Sequence, residues 1–196
     1  MFNPNCDKDR FVERLKFALT KKDVLQMVRI GNDLKIEPNE MLSLTLHKDS
    51  SISFHAAWIL ENMLFNNPNA LDYYLPKIIS NLIISNSSSV RRHLAKLTAF
   101  GIFRIVNQKS SKLFQKEFWS INLEPLEEAC FRWLVDDRTK PAVKAHCMEI
   151  LFLLSTREKW IAEELPHIIE NQMEYGSPGI RSKGIAILKK LRRSKS

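Results

Sequence analysis

A run that recurs four times along the chain limits what it can fold into: an aliphatic residue, a polar or basic one, two more residues, then small residues and further aliphatics. The copies are Ile52 to Leu60, Val90 to Leu97, Val143 to Leu151 and Ile180 to Leu188. A proline precedes each, at Pro38, Pro76, Pro125 and Pro166; three of the four proline-to-aliphatic spacings are fourteen residues and the fourth is eighteen. Self-similarity at a period of several tens of residues marks a stacked array, in which each unit buries its apolar face against its neighbours.

Composition narrows the class. Hydrophobic residues make up 44% and charged residues 27% of the chain, as in an ordinary folded domain. Only five glycines occur, and no alternation of apolar and polar residues is sustained between turn signals, which predicts an all-α protein. The three cysteines, Cys6, Cys130 and Cys147, lack metal-ligand spacing. Cys130 and Cys147 sit in apolar helical patterns and read as small buried hydrophobes in a reducing compartment. The first ten residues carry no secretory-type apolar segment, and Ile150 to Leu154, the longest apolar run, is too short to span a bilayer. The expectation is a cytoplasmic protein with no membrane contact, no cofactor and no metal. The net charge of +8 is concentrated at one end: seven basic and no acidic residues lie from Arg181 onward, leaving 23 basic against 22 acidic in residues 1–180.

Apolar spacing places two helices ahead of the array in residues 7–35, on Phe11, Leu15, Ala18 and Leu19 and on Val24, Leu25, Met27 and Val28, broken at Lys21-Lys22-Asp23. They read as a terminal cap. Four helical pairs follow, at about 36–66, 67–106, 122–156 and 158–193, with a long connection over 107–121. Each pair reads as an outer helix opened or kinked by proline, a polar turn and an inner helix. Met41, Leu42, Leu44 and Leu46 mark the first outer helix, and in pairs two and four the helix is expected to continue through Pro76 and Pro166. Asp49 to Ser51, Asn86 to Ser89, Asp136 to Thr139 and Ser177 stand where helix N-caps belong. Ala56, Ala57, Ala95, Ala145, Gly184 and Ala186 are small enough to let helices approach closely. In the connection, Leu113, Phe114, Phe118 and Trp119 predict a short extra helix.

These residues resemble the HEAT-repeat, armadillo-like α-α superhelix, whose units combine a Leu-Pro outer helix, a turn aspartate and an inner helix opening with Val-Arg and alanines. Leu75-Pro76, Leu165-Pro166, Asp49, Asp137, Val90-Arg91, Val143-Lys144, Ile180-Arg181 and His55 to Leu60 carry the resemblance over about 36–193. Ser53 replaces the basic residue in the first unit, and the turns of units two and four lack aspartate. More narrowly, Ala129 to Leu134, Val143 to Ala145 and Trp160 to Ile169 resemble a family of small uncharacterised bacterial HEAT-like proteins. Some of these bear the label adenylosuccinate lyase. That activity is not implied here, because the chain lacks that enzyme's long helical core and its flexible segment with a catalytic serine.

His55, His93 and His146 recur at equivalent positions of successive inner helices, at roughly the 10 Å spacing of packed helices, whereas a metal needs ligands a few ångströms apart. They are expected to serve packing or capping. The resemblance implies a non-catalytic scaffold binding a protein or peptide through a concave inner-helix face, with Phe54, Trp58, Glu61, Arg92, Lys96 and Glu149 as contact residues. The alternative is a nucleic-acid-binding protein related to alkylpurine DNA glycosylases, which are HEAT-like and use a basic face, aromatics and an acid. Arg91, Lys144, Arg181, Lys189, Lys190, Arg192 and Arg193 are the candidate anion contacts, joined on the inner face by Arg104 and Lys183, and Trp58 with Glu61 is the nearest aromatic–acid pair. The Val-Arg arginine is expected to bond the turn aspartate or a neighbouring repeat. The run Lys189 to Lys195 reads first as a solvated helix end favoured by the helix dipole.

Overall fold

The computed structural model describes residues 4–194. Among them are eleven α-helices and no strands, and no helix is long and apolar enough to cross a membrane. The chain divides into two compact units, one ending at Leu97 and the other beginning at Thr98.

The first unit contains α1 (Pro4–Arg14), α2 (Lys21–Asp33), α3 (Pro38–Leu44), α4 (Ser50–Asn66), α5 (Pro68–Ile84) and the first half of α6 (Ser88–Val106). Helix α4 packs against α2, α3 and α5. It carries fully buried Ala56, Ala57, Ile59, Leu60 and Leu64, against Leu42 of α3 and Leu71, Leu75 and Ile78 of α5 in the same core. Outer helices α3 and α5 are also joined by buried Asn81, whose amide donates to the Leu42 carbonyl at 2.8 Å and the Thr45 hydroxyl at 3.1 Å.

The second unit holds the rest of α6, then α7 (Lys112–Phe118), α8 (Glu124–Val135), α9 (Pro141–Leu154), α10 (Lys159–Glu174) and α11 (Pro178–Ser194). Outer helices α8 and α10 and inner helices α9 and α11 pack in pairs, and α9 also contacts α10. Its core includes Leu126, Cys130, Leu134, Cys147, Leu151, Leu165 and Ile169. The short helix expected in the connection is α7, anchored by fully buried Phe118, while Leu113 stays exposed.

The outer helices α5 and α10 continue through Pro76 and Pro166. Pro38 and Pro125 instead lie in the first turns of α3 and α8, where the missing amide has no intrahelical partner to lose. Several boundaries differ from expectation. Lys21-Lys22-Asp23 is no break but the first turn of α2: Thr20 and Asp23 form a capping box, the Asp23 amide donating to Thr20 Oγ1 and the Thr20 amide to Asp23 Oδ2. Helix α1 ends at Arg14, so Ala18 and Leu19 lie outside it, and Leu46 lies beyond α3 and is exposed. Asp49, Ser87 and Ser177 accept from first-turn amides of α4, α6 and α11. The Asp136 to Thr139 turn does not cap α9; its N-cap is Lys140, with no side-chain bond, and Asp136 binds the amide and guanidinium of Arg138. Ala186 is exposed.

Two helix ends need a left-handed residue, and neither uses glycine: Lys35 and Gln108 have φ of 52° and 55°. Ile36 then donates back to the Gly31 carbonyl and Lys109 to that of Arg104, both at 2.8 Å. This is the wrapped bond of the Schellman end.

Candidate interaction site

In α4, Phe54, Trp58 and Glu61 follow one another at spacings of four and three, so they share one side of the helix. The opposite side, with Ile52, Ala56 and Ile59, is buried. Phe54 and Trp58 are half-buried. Both rings contact the imidazole of His93 on α6: the Phe54 centroid lies 5.6 Å from it, and the Trp58 ring stacks at 6.2 Å and 23°. The result is an aromatic strip with its polar support beneath it.

That support is Glu61, 8% exposed. His93 Nδ1 lies 2.7 Å from Glu61 Oε2, and Lys96 Nζ donates to Oε1 at 2.6 Å. Arg92 Nη2 approaches His93 Nε2 at 2.9 Å. A guanidinium can only donate, so Nε2 accepts, and the imidazole proton sits on Nδ1, where it donates to Glu61. Burial pushes the Glu61 carboxyl up, but the hydrogen bonds from His93 and Lys96 outweigh it and hold the pKa below the ordinary glutamate value. Lys96 also lies 4.8 Å from the Phe65 ring centroid. Glu61, one of the candidate contact residues, is the acceptor that ties α4 to α6.

The second unit repeats the device. Glu149 of α9 accepts from Lys183 of α11, and from Lys190 at 3.3 Å. Burial raises its pKa, but the Lys183 hydrogen bond and the two lysine charges bring it below normal. Lys190 also sits 5.2 Å from the Phe152 ring centroid.

The Val-Arg and Ile-Arg arginines reach backbone carbonyls. Arg91 Nε donates to the Ser85 carbonyl at 2.8 Å and Arg181 Nη2 to that of Glu174 at 3.2 Å, each at the end of the preceding outer helix. Arg104 likewise reaches the Lys109 carbonyl. Lys144, in the arginine's place in the third pair, is 7% exposed and donates to Gln172 Oε1 at 2.6 Å. Lys189, Arg192 and Arg193 are exposed near the end of α11, and Lys195 lies outside the described residues.

Of the recurring histidines, His55 is buried with Nδ1 donating to the Leu15 carbonyl at 2.7 Å, which fastens α4 to the end of α1. His93 serves Glu61, and His146 is half-buried. Among the described residues no three His, Cys, Asp or Glu side chains are grouped closely enough to hold a metal ion. Cys130 and Cys147 are both fully buried; burial, then the Cys147 thiol beside it, pushes the Cys130 thiol up, so it is no thiolate nucleophile. The side chain of Cys6 lies outside the described residues.

Paired outer and inner helices, with a carboxylate tying α4 to α6 in the first unit and α9 to α11 in the second, define a helical-repeat protein. A family model of the HEAT repeat domain matches residues 11–191, and the chain belongs to that family. No curated protein matches the sequence, and no solved structure matches it.

Proposed function

We propose that this chain is a non-catalytic scaffold that binds a protein or peptide partner through its inner-helix face, with Phe54 and Trp58 as the aromatic anchors and Arg92 and Lys96 beside them. HEAT repeats are generally protein-interaction scaffolds, since stacked pairs leave an extended surface free of packing duties. The observation that carries this reading is the half-buried Phe54 and Trp58 pair, held in place from below by His93 and Glu61. Rigid aromatic rings contribute contact area at small entropic cost and dominate binding energy where they occur. Glu61, the carboxylate nearest them, is fully engaged by His93 and Lys96, which disfavours it as a general base for a ligand lying on Trp58.

Capture experiments with the wild-type chain and with the Phe54→Ala/Trp58→Ala double variant test this. The variant should keep its helical circular dichroism and lose at least one protein that the wild type retains, with affinity reduced about thirtyfold or more. Recovery of an identical set of proteins by both would sink the proposal.

The exposed cations of α11 favour a second reading as a nucleic-acid contact confined to the tail. Duplex DNA binding should then fall steeply with salt and disappear on truncation after Ile187, while charge reversal at Arg91, Arg92 and Lys96 leaves it unchanged. Loss on charge reversal would move the contact to the inner helices.

A further inference from the structure

The second unit contains a cleft of about 430 Å³ where the ends of α7 and α9 meet the starts of α8 and α10. Trp119 and Trp160 form its aromatic walls, and Glu124, Glu127, Glu158 and Arg157 its polar lining. Both walls are braced. Trp119 packs edge-on against buried Phe118 with centroids 5.1 Å apart, and Trp160 lies against Phe131 at 5.3 Å.

Glu127 is the unusual group. It is 7% exposed, yet among the described residues no hydrogen bond or ion pair reaches its carboxyl. Its charged neighbours in the cleft are two further carboxylates, Glu124 and Glu158. Arg157, the one cation in the cleft's lining, pairs with none of the three. Its guanidinium carbon sits 4.8 Å from the Trp119 ring centroid, and Nη1 donates to the Trp119 carbonyl at 3.4 Å. The Glu127 residue is buried, but its carboxyl oxygens reach the solvent of the cleft; burial, then Glu158 and Glu124, pushes its pKa up. The cleft is therefore a place that lacks a positive charge.

We propose that this cleft receives the side chain of an arginine carried on an extended segment of a partner protein, its guanidinium paired with Glu127 and lying against Trp160. Arg157 on Trp119 already shows a guanidinium on one wall, and planar stacking with carboxylate pairing is what arginine, more than lysine, provides. The volume is at the small end of the roughly 300–1,000 Å³ of ligand pockets, which suits one side chain. Three carboxylates against one arginine disfavour an anion, and they are not grouped to ligate a metal. This site is separate from the Phe54 and Trp58 strip and does not rest on it.

The test is a titration of the full chain with Nα-acetyl-arginine methylamide, read on the indole N–H signals of the four tryptophans, with the citrulline analogue as the neutral isostere. Signals of Trp119 and Trp160 should shift saturably with a dissociation constant on the order of millimolar, while those of Trp58 and Trp133 stay in place and citrulline moves none. Glu127→Gln should weaken binding about tenfold and fold normally, since it removes a buried charge. Exposed Glu158→Gln should weaken it about threefold and supplies the answer should the first variant misfold. Phe54→Ala/Trp58→Ala should leave the titration unchanged, which separates this site from the proposed scaffold face. A nine-residue peptide with one central arginine should bind more tightly than the amide. Absence of any shift, shifts spread over all four indoles, or binding undiminished in both glutamate variants overturns the proposal. So does tighter binding of inorganic phosphate, spermidine or the cationic nucleoside 1-methyladenosine than of the peptide.

Discussion

Glu61→Ala is expected to destabilise the protein by about 3 kcal/mol and to lower its melting temperature by roughly 10 °C. The carboxylate is 8% exposed and accepts from two side chains of the neighbouring inner helix. Removing it leaves the His93 Nδ1–H, on a residue 3% exposed, with no acceptor beneath the Phe54 and Trp58 rings. An orphaned buried donor alone costs about 1–3 kcal/mol. Lys96 adds less, because its side chain is 45% exposed and regains water; Lys96→Ala should therefore cost under about 1 kcal/mol. Glu61→Gln keeps an oxygen for His93 and should lose only about 1 kcal/mol. Urea unfolding followed by circular dichroism measures all three, and a Glu61→Ala value equal to that of Lys96→Ala would show that His93 finds another acceptor.

The same carboxylate sets a pH dependence. Its folded pKa lies below the ordinary value of 4.5, so the unfolded chain binds its proton first on acidification. The stability it contributes is complete above pH 4.5 and is lost as the pH falls through the folded value. Wild type and Glu61→Gln should differ most above pH 4.5 and converge below it. Glu149, shifted the same way, leaves a residual acid sensitivity in the Glu61→Gln variant.

The repeat order was legible because it rests on local pattern: aliphatic and small residues at helical spacing, and caps such as Asp49 and Ser177, lie within a few residues of what they serve. Thr20 and Asp23 were equally local. The Thr-x-x-Asp spacing of a capping box was there to be read, and it places the start of α2 where the lysine pair had suggested a break. The Glu61–His93 bond was not legible, since it joins residues 32 apart through the register of two packed helices. Nor were the partners of Arg91 and Arg181, because a backbone carbonyl leaves no trace in residue identity. The Glu127 cleft draws on the ends of four helices, and only the packed structure reveals that its carboxyl has no donor. Non-glycine left-handed ends at Lys35 and Gln108 were hidden for a similar reason: the usual glycine marker is missing.

Gly184→Val is expected to cost about 3 kcal/mol, with a fall in melting temperature of roughly 6–12 °C. Gly184 lies where α11 packs closely on α10. A β-carbon built there would lie 2.8 Å from Met173 Cγ and 2.9 Å from Ile169 Cγ2, and would also overlap the Met173 sulfur. Ile169 is fully buried and has nowhere to go. Met173 is only half-buried and flexible, so part of the overlap can be relieved. Alanine at this position gains up to about 1 kcal/mol in helix propensity against an overlap of about 1–3 kcal/mol, so Gly184→Ala should be destabilising by about 1 kcal/mol. Valine adds two methyl groups to the same contact, where no propensity gain offsets them. Met173→Ala should restore about half of the loss in the Gly184→Val background while destabilising the wild type, a non-additivity that thermal unfolding of the four proteins measures. Equal effects of Met173→Ala in both backgrounds would mean that the helices separate to admit the side chain, and that close approach at Gly184 is not what fixes the packing of α10 on α11.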